Sequence, residues 1–303
     1  MTTPADDLLT IRDLVRYAVT CFEEAGLFAG HGVSGTVDDA VFLVLESLRL
    51  PIDDVNPWMD ARLTRAERER ILGLIEERAT TRKPTPYLVK RAYIQGVPFH
   101  VDERVIVPRS FIGEILFSEL IGGDDFTLIE DPTSVESVLD LCTGSGCLAI
   151  LASRVFPHAD VDAVDLSPDA LAVAEMNVAE LAPERVTLHR GDLFEPLGGA
   201  RYDLIITNPP YVDQETMDLL PAEYRHEPEM ALAGGPDGLD IVRRILRQAG
   251  SHLNPGGGLL CEIGTGREIL EAEFADLPFF WLDTEESEGE VFWLAAEALH
   301  GVA

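Results

Sequence analysis

The sequence predicts an α/β fold, a mostly parallel sheet wound on both faces, preceded by a smaller, mainly helical N-terminal domain. Three observations carry that expectation. Beyond residue 135, short apolar runs alternate with helix-like stretches, as they do where crossover helices join parallel strands. In the first such unit Val138-Leu139-Asp140-Leu141 runs into Cys142-Thr143-Gly144-Ser145-Gly146-Cys147 and then Leu148-Ala149-Ile150-Leu151-Ala152, which reads as strand, glycine turn and helix. The opening third instead repeats apolar side chains at helical spacing, and 303 residues of 46% apolar composition exceed what one core usually holds.

In chain order, Ile11, Leu14, Val15, Ala18 and Phe22 make one apolar helical stripe, and a second helix is expected over residues 41–48. A third opens at Thr64, where Thr64 and Glu67 form a capping box ahead of Ile71, Leu72, Leu74 and Ile75; it should stop before Pro84. Residues 91–101 alternate around Gly96 and read as a β-hairpin. The helical domain then spans 1–90, a hairpin linker 91–107, and the sheet domain 108–303. Residues near 108–122 should be helical, and Gly122-Gly123-Asp124-Asp125 with Asp131-Pro132 marks a flexible surface connection. Asn254-Pro255-Gly256-Gly257-Gly258 reads as a turn ahead of the strand Leu259-Leu260-Cys261-Glu262-Ile263.

Gly144 and Gly146 let the backbone turn sharply and approach a ligand, while the first N–H groups of the following helix stay free to donate. The next strand, 159–164, leads to Asp165, whose carboxylate can hold both ribose hydroxyls of a nucleotide. Gly144-Ser145-Gly146-Cys147-Leu148-Ala149 also fits the dinucleotide fingerprint, so an NAD enzyme stays open on these residues. Asp140 points elsewhere, because a carboxylate just before the loop repels a diphosphate and attracts the ammonium of S-adenosylmethionine, directly or through water.

The apolar run Leu204-Ile205-Ile206-Thr207 ends on Asn208-Pro209-Pro210-Tyr211, which places a polar side chain at a strand's end, where α/β enzymes keep their chemistry. Two prolines remove two backbone donors and fix φ, so neither helix nor sheet continues and nearby carbonyls face outward. Such a corner suits a planar NH2 group, one N–H held by the Asn208 side-chain oxygen and the other by a backbone carbonyl. The same four residues also fit a plain tight turn after a buried strand.

These motifs resemble the class I S-adenosylmethionine-dependent methyltransferases that modify glutamine side-chain amides. Segments 140–147, 208–213 and Glu223-Tyr224-Arg225-His226-Glu227-Pro228 are similar to the branch called PrmB, whose members methylate a ribosomal protein rather than a peptide release factor. His31-Gly32 and residues 101–110 join the resemblance, which spans nearly the whole chain. It implies a Rossmann-like sheet of seven strands whose last two, Phe279-Phe280-Trp281-Leu282 and Val291-Phe292-Trp293-Leu294, pair as an antiparallel edge, with 1–90 as a substrate-recognition domain. The donor would be held by Asp140, Cys142, Thr143, Gly144, Ser145, Gly146, Asp165, Asp192, Leu193 and Asn208, with Asp192 accepting from the adenine amine and Leu193 on its ring. Catalysis would fall to Asn208 and the Pro209 carbonyl, each taking one amide N–H, with Pro210 stiffening the corner and Tyr211 packed against or bonded to the flat amide. Residues 223–238, too polar and glycine-rich for core, read as a loop over the active site that recognises substrate or closes on it. The implied target is a glutamine of large-subunit ribosomal protein number three. A release-factor glutamine, a nucleic-acid amino group, and a sensor that binds S-adenosylmethionine without transfer are the alternatives.

A net charge of −31, with Lys83 and Lys90 the only lysines, argues against direct nucleic-acid binding, which releases counterions through Lys and Arg contacts. It fits capture of a strongly basic ribosomal protein, and equally a salty habitat. Residues 1–7 carry neither a basic flank nor a long apolar stretch, and no later run approaches bilayer length, so a cytoplasmic protein without a membrane partner is expected. Cysteines 21, 142, 147 and 261 lack C-x-x-C spacing and the histidines form no ligand pattern, so no metal is expected.

Overall fold

The computed structural model describes residues 4–284 and 287–302. Ahead of the sheet, α1 (Pro4–Asp7), α2 (Ile11–Glu24), α3 (Thr36–Ser47), α4 (Arg65–Thr81) and α5 (Thr85–Val89) form a helical layer. The stripe on α2 is buried against Leu43 and Val44 of α3 and Ile71 and Ile75 of α4. Side-chain capping fixes where helices begin: Thr10 with Asp13 and Thr64 with Glu67 each close a reciprocal box that satisfies otherwise orphaned N–H groups. Helix α4 ends before Pro84, as the sequence requires, with Arg82 in a left-handed cap. The five residues of α5 are too few to show a period, and the sequence reading missed them.

β1 (Ala92–Ile94) and β2 (Val97–Phe99) form the expected hairpin around Gln95-Gly96. The chain then crosses toward the large sheet as a strap over 100–110. The helix expected over 108–122 is shorter, α6 (Phe111–Leu116), because Ser110 caps its start and the Ser118 hydroxyl takes the Ile115 carbonyl at its end. Beyond it the acidic connection is an anchored loop: Gly122 N–H donates to the Ile129 carbonyl and Ile121 bridges Ile129.

Seven strands follow with helices between them: β3 (Ser137–Leu141), α7 (Cys147–Val155), β4 (Asp160–Asp165), α8 (Pro168–Leu181), β5 (Val186–Arg190), β6 (Tyr202–Thr207), α9 (Gln214–Leu219), α10 (Asp240–Ala249), β7 (Leu253–Glu262), α11 (Arg267–Glu273), β8 (Phe280–Asp283) and β9 (Glu288–Ala295). Their order is β5-β4-β3-β6-β7-β9-β8, parallel through β7, with β9 and β8 antiparallel at the edge. Ile112, Ile150 and Val178 pack helices α6, α7 and α8 on one face, while Val242, Ile245 and Leu270 bring α10 and α11 to the other. Residues 254–258 are not a turn. They lie inside β7, where the register against β6 shifts between Tyr202 and Leu204 and Asn254 Nδ2 donates to Asp203 Oδ1 at 2.8 Å. A Pro-Gly-rich string reads as a turn from composition, but here it interrupts the ladder within one strand. Among the described residues, no helix is long and apolar enough to cross a membrane and no cluster of His, Cys, Asp and Glu could hold a metal ion.

Candidate active site

Strand order reverses at β3, whose neighbours β4 and β6 send their connections to opposite sides, and this opens a crevice at the carboxyl ends. A cavity of about 190 Å3 lies there. Its walls include Cys142, Thr143, Gly144 and Ser145 of the glycine turn, Asp165 beyond β4, Asp192 and Leu193 beyond β5, and Asn208 and Pro210 beyond β6. Most of the residues expected to hold the donor therefore line one cavity, from four separate segments. Gly146 caps the start of α7 at φ 79°, a left-handed conformation that favours glycine, and a Cβ there would stand a tight 3.3 Å from Ala174 of α8.

Asp165 Oδ2 accepts from Gly144 N–H and Oδ1 from Ser167 N–H, each at 2.8 Å, and burial raises its pKa. Each oxygen retains a lone pair for a ribose hydroxyl, so the acid at the end of β4 fits the predicted nucleoside. Burial pushes both cavity thiols up, Cys147 to about 12, and protonated thiols are poor nucleophiles.

Four expected site residues, Asp140, Gly146, Pro209 and Tyr211, lie outside this wall. Asp140 is fully buried beneath the turn, where Oδ2 accepts from the Thr143 hydroxyl at 2.5 Å and from Ala149 N–H at 3.0 Å. It shapes the loop rather than meeting an ammonium directly, and burial pushes its pKa to about 7. Gly146 is spent on the helix start, and Pro209 is buried behind the corner. Conversely, Arg104, Arg109, Met230 and Arg244 line the cavity without having been anticipated. Arg244 Nη2 pairs with Asp192 Oδ2 at 2.8 Å across 52 residues of sequence, a partnership no local motif encodes.

At the corner itself, Asn208 Nδ2 donates to the Arg109 carbonyl at 3.4 Å, which leaves Oδ1 as the acceptor. The backbone beyond Tyr211 is gripped on both sides: Val212 N–H donates to the Leu232 carbonyl and Gly234 N–H to the Val212 carbonyl, both at 2.8 Å. Gly238, at φ 78°, permits this, since a Cβ there would stand 2.2 Å from the Tyr211 carbonyl oxygen. Tyr211 faces away from the donor cavity. It lines a second, interdomain cavity of about 1140 Å3, with His31, Phe42, Tyr93, Phe117 and Glu262. Pro108, Arg109 and Ser110 of the strap belong to both cavities and form their common wall.

The segment 223–228 corrects the sequence reading. Its polarity reads as too great for core, but Glu223 is fully buried and Glu227 is 6% exposed. Glu223 accepts from Phe28 N–H at 2.9 Å and pairs with Arg82 at 2.7 Å; Glu227 accepts from Val107 N–H at 2.9 Å and holds Arg109 through both terminal nitrogens, at 2.6 and 2.7 Å. The Tyr224 ring lies against His31, centroids 4.5 Å apart, and His226 bonds to the Thr81 carbonyl at 2.9 Å. His31 stays neutral, since burial pushes its pKa down to about 4. The two carboxylates and His31 face protein instead of water, and the segment ties the helical layer to the strap. Downstream, Pro228, Met230 and Ala231 line the cavity at the carboxyl ends of the strands.

A doubly wound seven-stranded sheet with an antiparallel edge, carrying a glycine turn, an acid at the next strand end and an Asn-Pro-Pro-Tyr corner, is that of a class I methyltransferase. Residues 127–223 match the family model Methyltransferase small domain. The chain is 60% identical to a ribosomal protein uL3 glutamine methyltransferase of Bradyrhizobium diazoefficiens, over 97% of this chain and 92% of the relative. It is 52% identical to one of Burkholderia pseudomallei, over 100% of both chains. A solved methyltransferase of Pyrococcus furiosus is 16% identical over 77% of this chain and 99% of its own, with a TM-score of 0.49. This chain belongs to the family of ribosomal protein uL3 glutamine methyltransferases.

Proposed function

We propose that the protein transfers a methyl group from S-adenosylmethionine to the side-chain amide nitrogen of a glutamine in ribosomal protein uL3. The observation that carries this is the seat of Asn208-Pro209-Pro210-Tyr211 between a nucleoside-type cavity and an interdomain cavity that share one thin wall. The names of the relatives support the target.

Asp165 takes the ribose hydroxyls, Asp192 the adenine amine and Leu193 the adenine face, while Cys142, Thr143, Gly144 and Ser145 enclose the methionine end over Asp140 and Gly146. Bound there, the donor supplies a sulfonium methyl that leaves in one displacement. An amide nitrogen shares its lone pair with the carbonyl, so positioning has to do most of the work. Asn208, anchored through Nδ2, accepts one amide N–H on Oδ1; the Pro209 carbonyl accepts the other; Pro210 keeps the corner rigid and Tyr211 flanks the amide plane. Positive charge growing on nitrogen then meets fixed acceptor dipoles. An N-protonated amide is a strong acid, so water takes the proton and no base is required.

The glutamine arrives from the interdomain cavity, with residues 1–90 holding the substrate protein. A net charge of −31 favours encounter with a basic polypeptide and disfavours direct contact with nucleic acid, and the reaction is placed in the cytoplasm, where ribosomal proteins are made. Labelled donor incubated with purified uL3, a release factor and duplex DNA provides the test, with mass mapping of the product. One methylated glutamine on uL3 is the expected result; label confined to the release factor or the DNA overturns the reading.

A further inference from the structure

We propose that Glu262 is a positioning residue for methyl transfer: it fixes the Tyr211 hydroxyl as a donor, so that the phenolic oxygen turns its lone pairs, not its proton, toward the amide nitrogen on which positive charge grows. The proposal rests on reading the corner as the amide's seat. Glu262 ends β7, one residue beyond Cys261, which pairs with Thr207 at the end of β6. It therefore sits beside the strand that delivers Asn208. Its side chain is buried, 1% exposed, yet forms part of the interdomain cavity wall.

Both carboxylate oxygens are engaged, and every donor belongs to a segment framing the two cavities. Oε2 accepts from the Ser110 hydroxyl at 2.6 Å and Phe111 N–H at 2.9 Å; Oε1 accepts from the Tyr211 hydroxyl at 3.2 Å. A carboxylate is acceptor-only, so it dictates the direction of each bond. Tyr211 must donate toward β7, and Ser110 must donate away from the donor cavity. Packing alone does not call for a charge here, since an unneeded buried carboxylate is a costly choice. Burial pushes Glu262 up, to about 7, so the acceptor-only form, and with it the direction of the Tyr211 bond, is complete only above that pH.

Glu262→Gln isolates the direction of the bond while keeping the shape. The amide oxygen can serve Ser110 and Phe111, but the NH2 then points at Tyr211, whose oxygen must accept. Expected are a kcat lower by about tenfold, corresponding to one hydrogen bond, with donor Kd, uL3 KM and melting temperature near wild type. Tyr211→Phe should lose a similar factor, and the double variant should be no slower than Tyr211→Phe alone, because Glu262 acts through a group that is gone. A wild-type kcat in Glu262→Gln, losses that multiply in the double variant, or a fall in donor affinity or stability would each overturn the proposal. Asn208→Ala, measured alongside, separates the layers. Rapid transfer by that variant removes the amide seat itself, whereas an inactive Asn208→Ala beside a fully active Glu262→Gln removes only the role of Glu262.

Discussion

Glu227→Ala strips the join between the two domains of its central acceptor, and the structure sets the size of the loss. The carboxylate accepts from Val107 N–H and takes both terminal nitrogens of Arg109, whose side chain is 26% exposed. Leaving a buried N–H unpaired costs about 1–3 kcal/mol, and removing one partner of a buried ion pair about 3–5 kcal/mol. The two costs overlap in one carboxylate, and Arg109 keeps its bond to the Val107 carbonyl at 3.0 Å. A net loss of about 3 kcal/mol is therefore expected, within what a folded chain of roughly 5–15 kcal/mol stability survives. Function should suffer beyond stability, because Arg109 also offers the carbonyl that anchors Asn208. Urea unfolding followed by tryptophan fluorescence, with methyl transfer measured well below the unfolding midpoint, reads both effects. A loss under about 1 kcal/mol, together with wild-type turnover, would refute the claim that this carboxylate organises the strap.

Asp192→Ala should weaken donor binding by about tenfold or more, the scale of a hydrogen bond to a charged group, with little change in uL3 KM; calorimetric titration of the donor checks it. Asp140 and Glu262 have folded pKa values of about 7 against ordinary values of 3.8 and 4.5, so the folded state binds more protons between those limits. Their contribution to stability is complete below the ordinary values and is lost as pH rises through about 7; Asp140→Asn should flatten part of that fall in denaturation midpoints measured across the range. If the net charge of −31 serves capture, added salt should raise the uL3 KM several-fold while donor Kd stays nearly constant, and a salt-independent KM would assign the acidity to solubility.

Local signals were legible in the sequence and long-range pairings were not. The capping box at Thr64, the hairpin at Gly96, the glycine turn at 144–146 and the corner at 208–211 each depend on residues a few positions apart, and each stands where it was read. Asp140 stands at its strand end, but its bonds to Thr143 and Ala149 were not legible, because sequence does not say on which side of the turn a side chain lies. The segment at 223–228 misled for a related reason: its charges are matched by Phe28, Arg82, Val107 and Arg109, up to 195 residues away, and unmatched charge reads as surface. Arg244 and Glu262 escaped notice likewise, since each gains meaning only from the strand ends or helices that tertiary packing brings beside it. Proline and glycine at 254–258 mark a departure from regular backbone without telling an interrupted ladder from a turn.

The central claim is that the corner at 208–211 holds a glutamine amide at the opening between the two cavities. Crystals grown with S-adenosylhomocysteine and a glutamine-bearing uL3 fragment test it most directly. The expected map has the amide nitrogen within about 3.2 Å of both Asn208 Oδ1 and the Pro209 carbonyl oxygen, the glutamine stem entering past Tyr211, and the thioether sulfur on the far side of the nitrogen. A glutamine seated away from Asn208, or a corner turned from the sulfur, would contradict it.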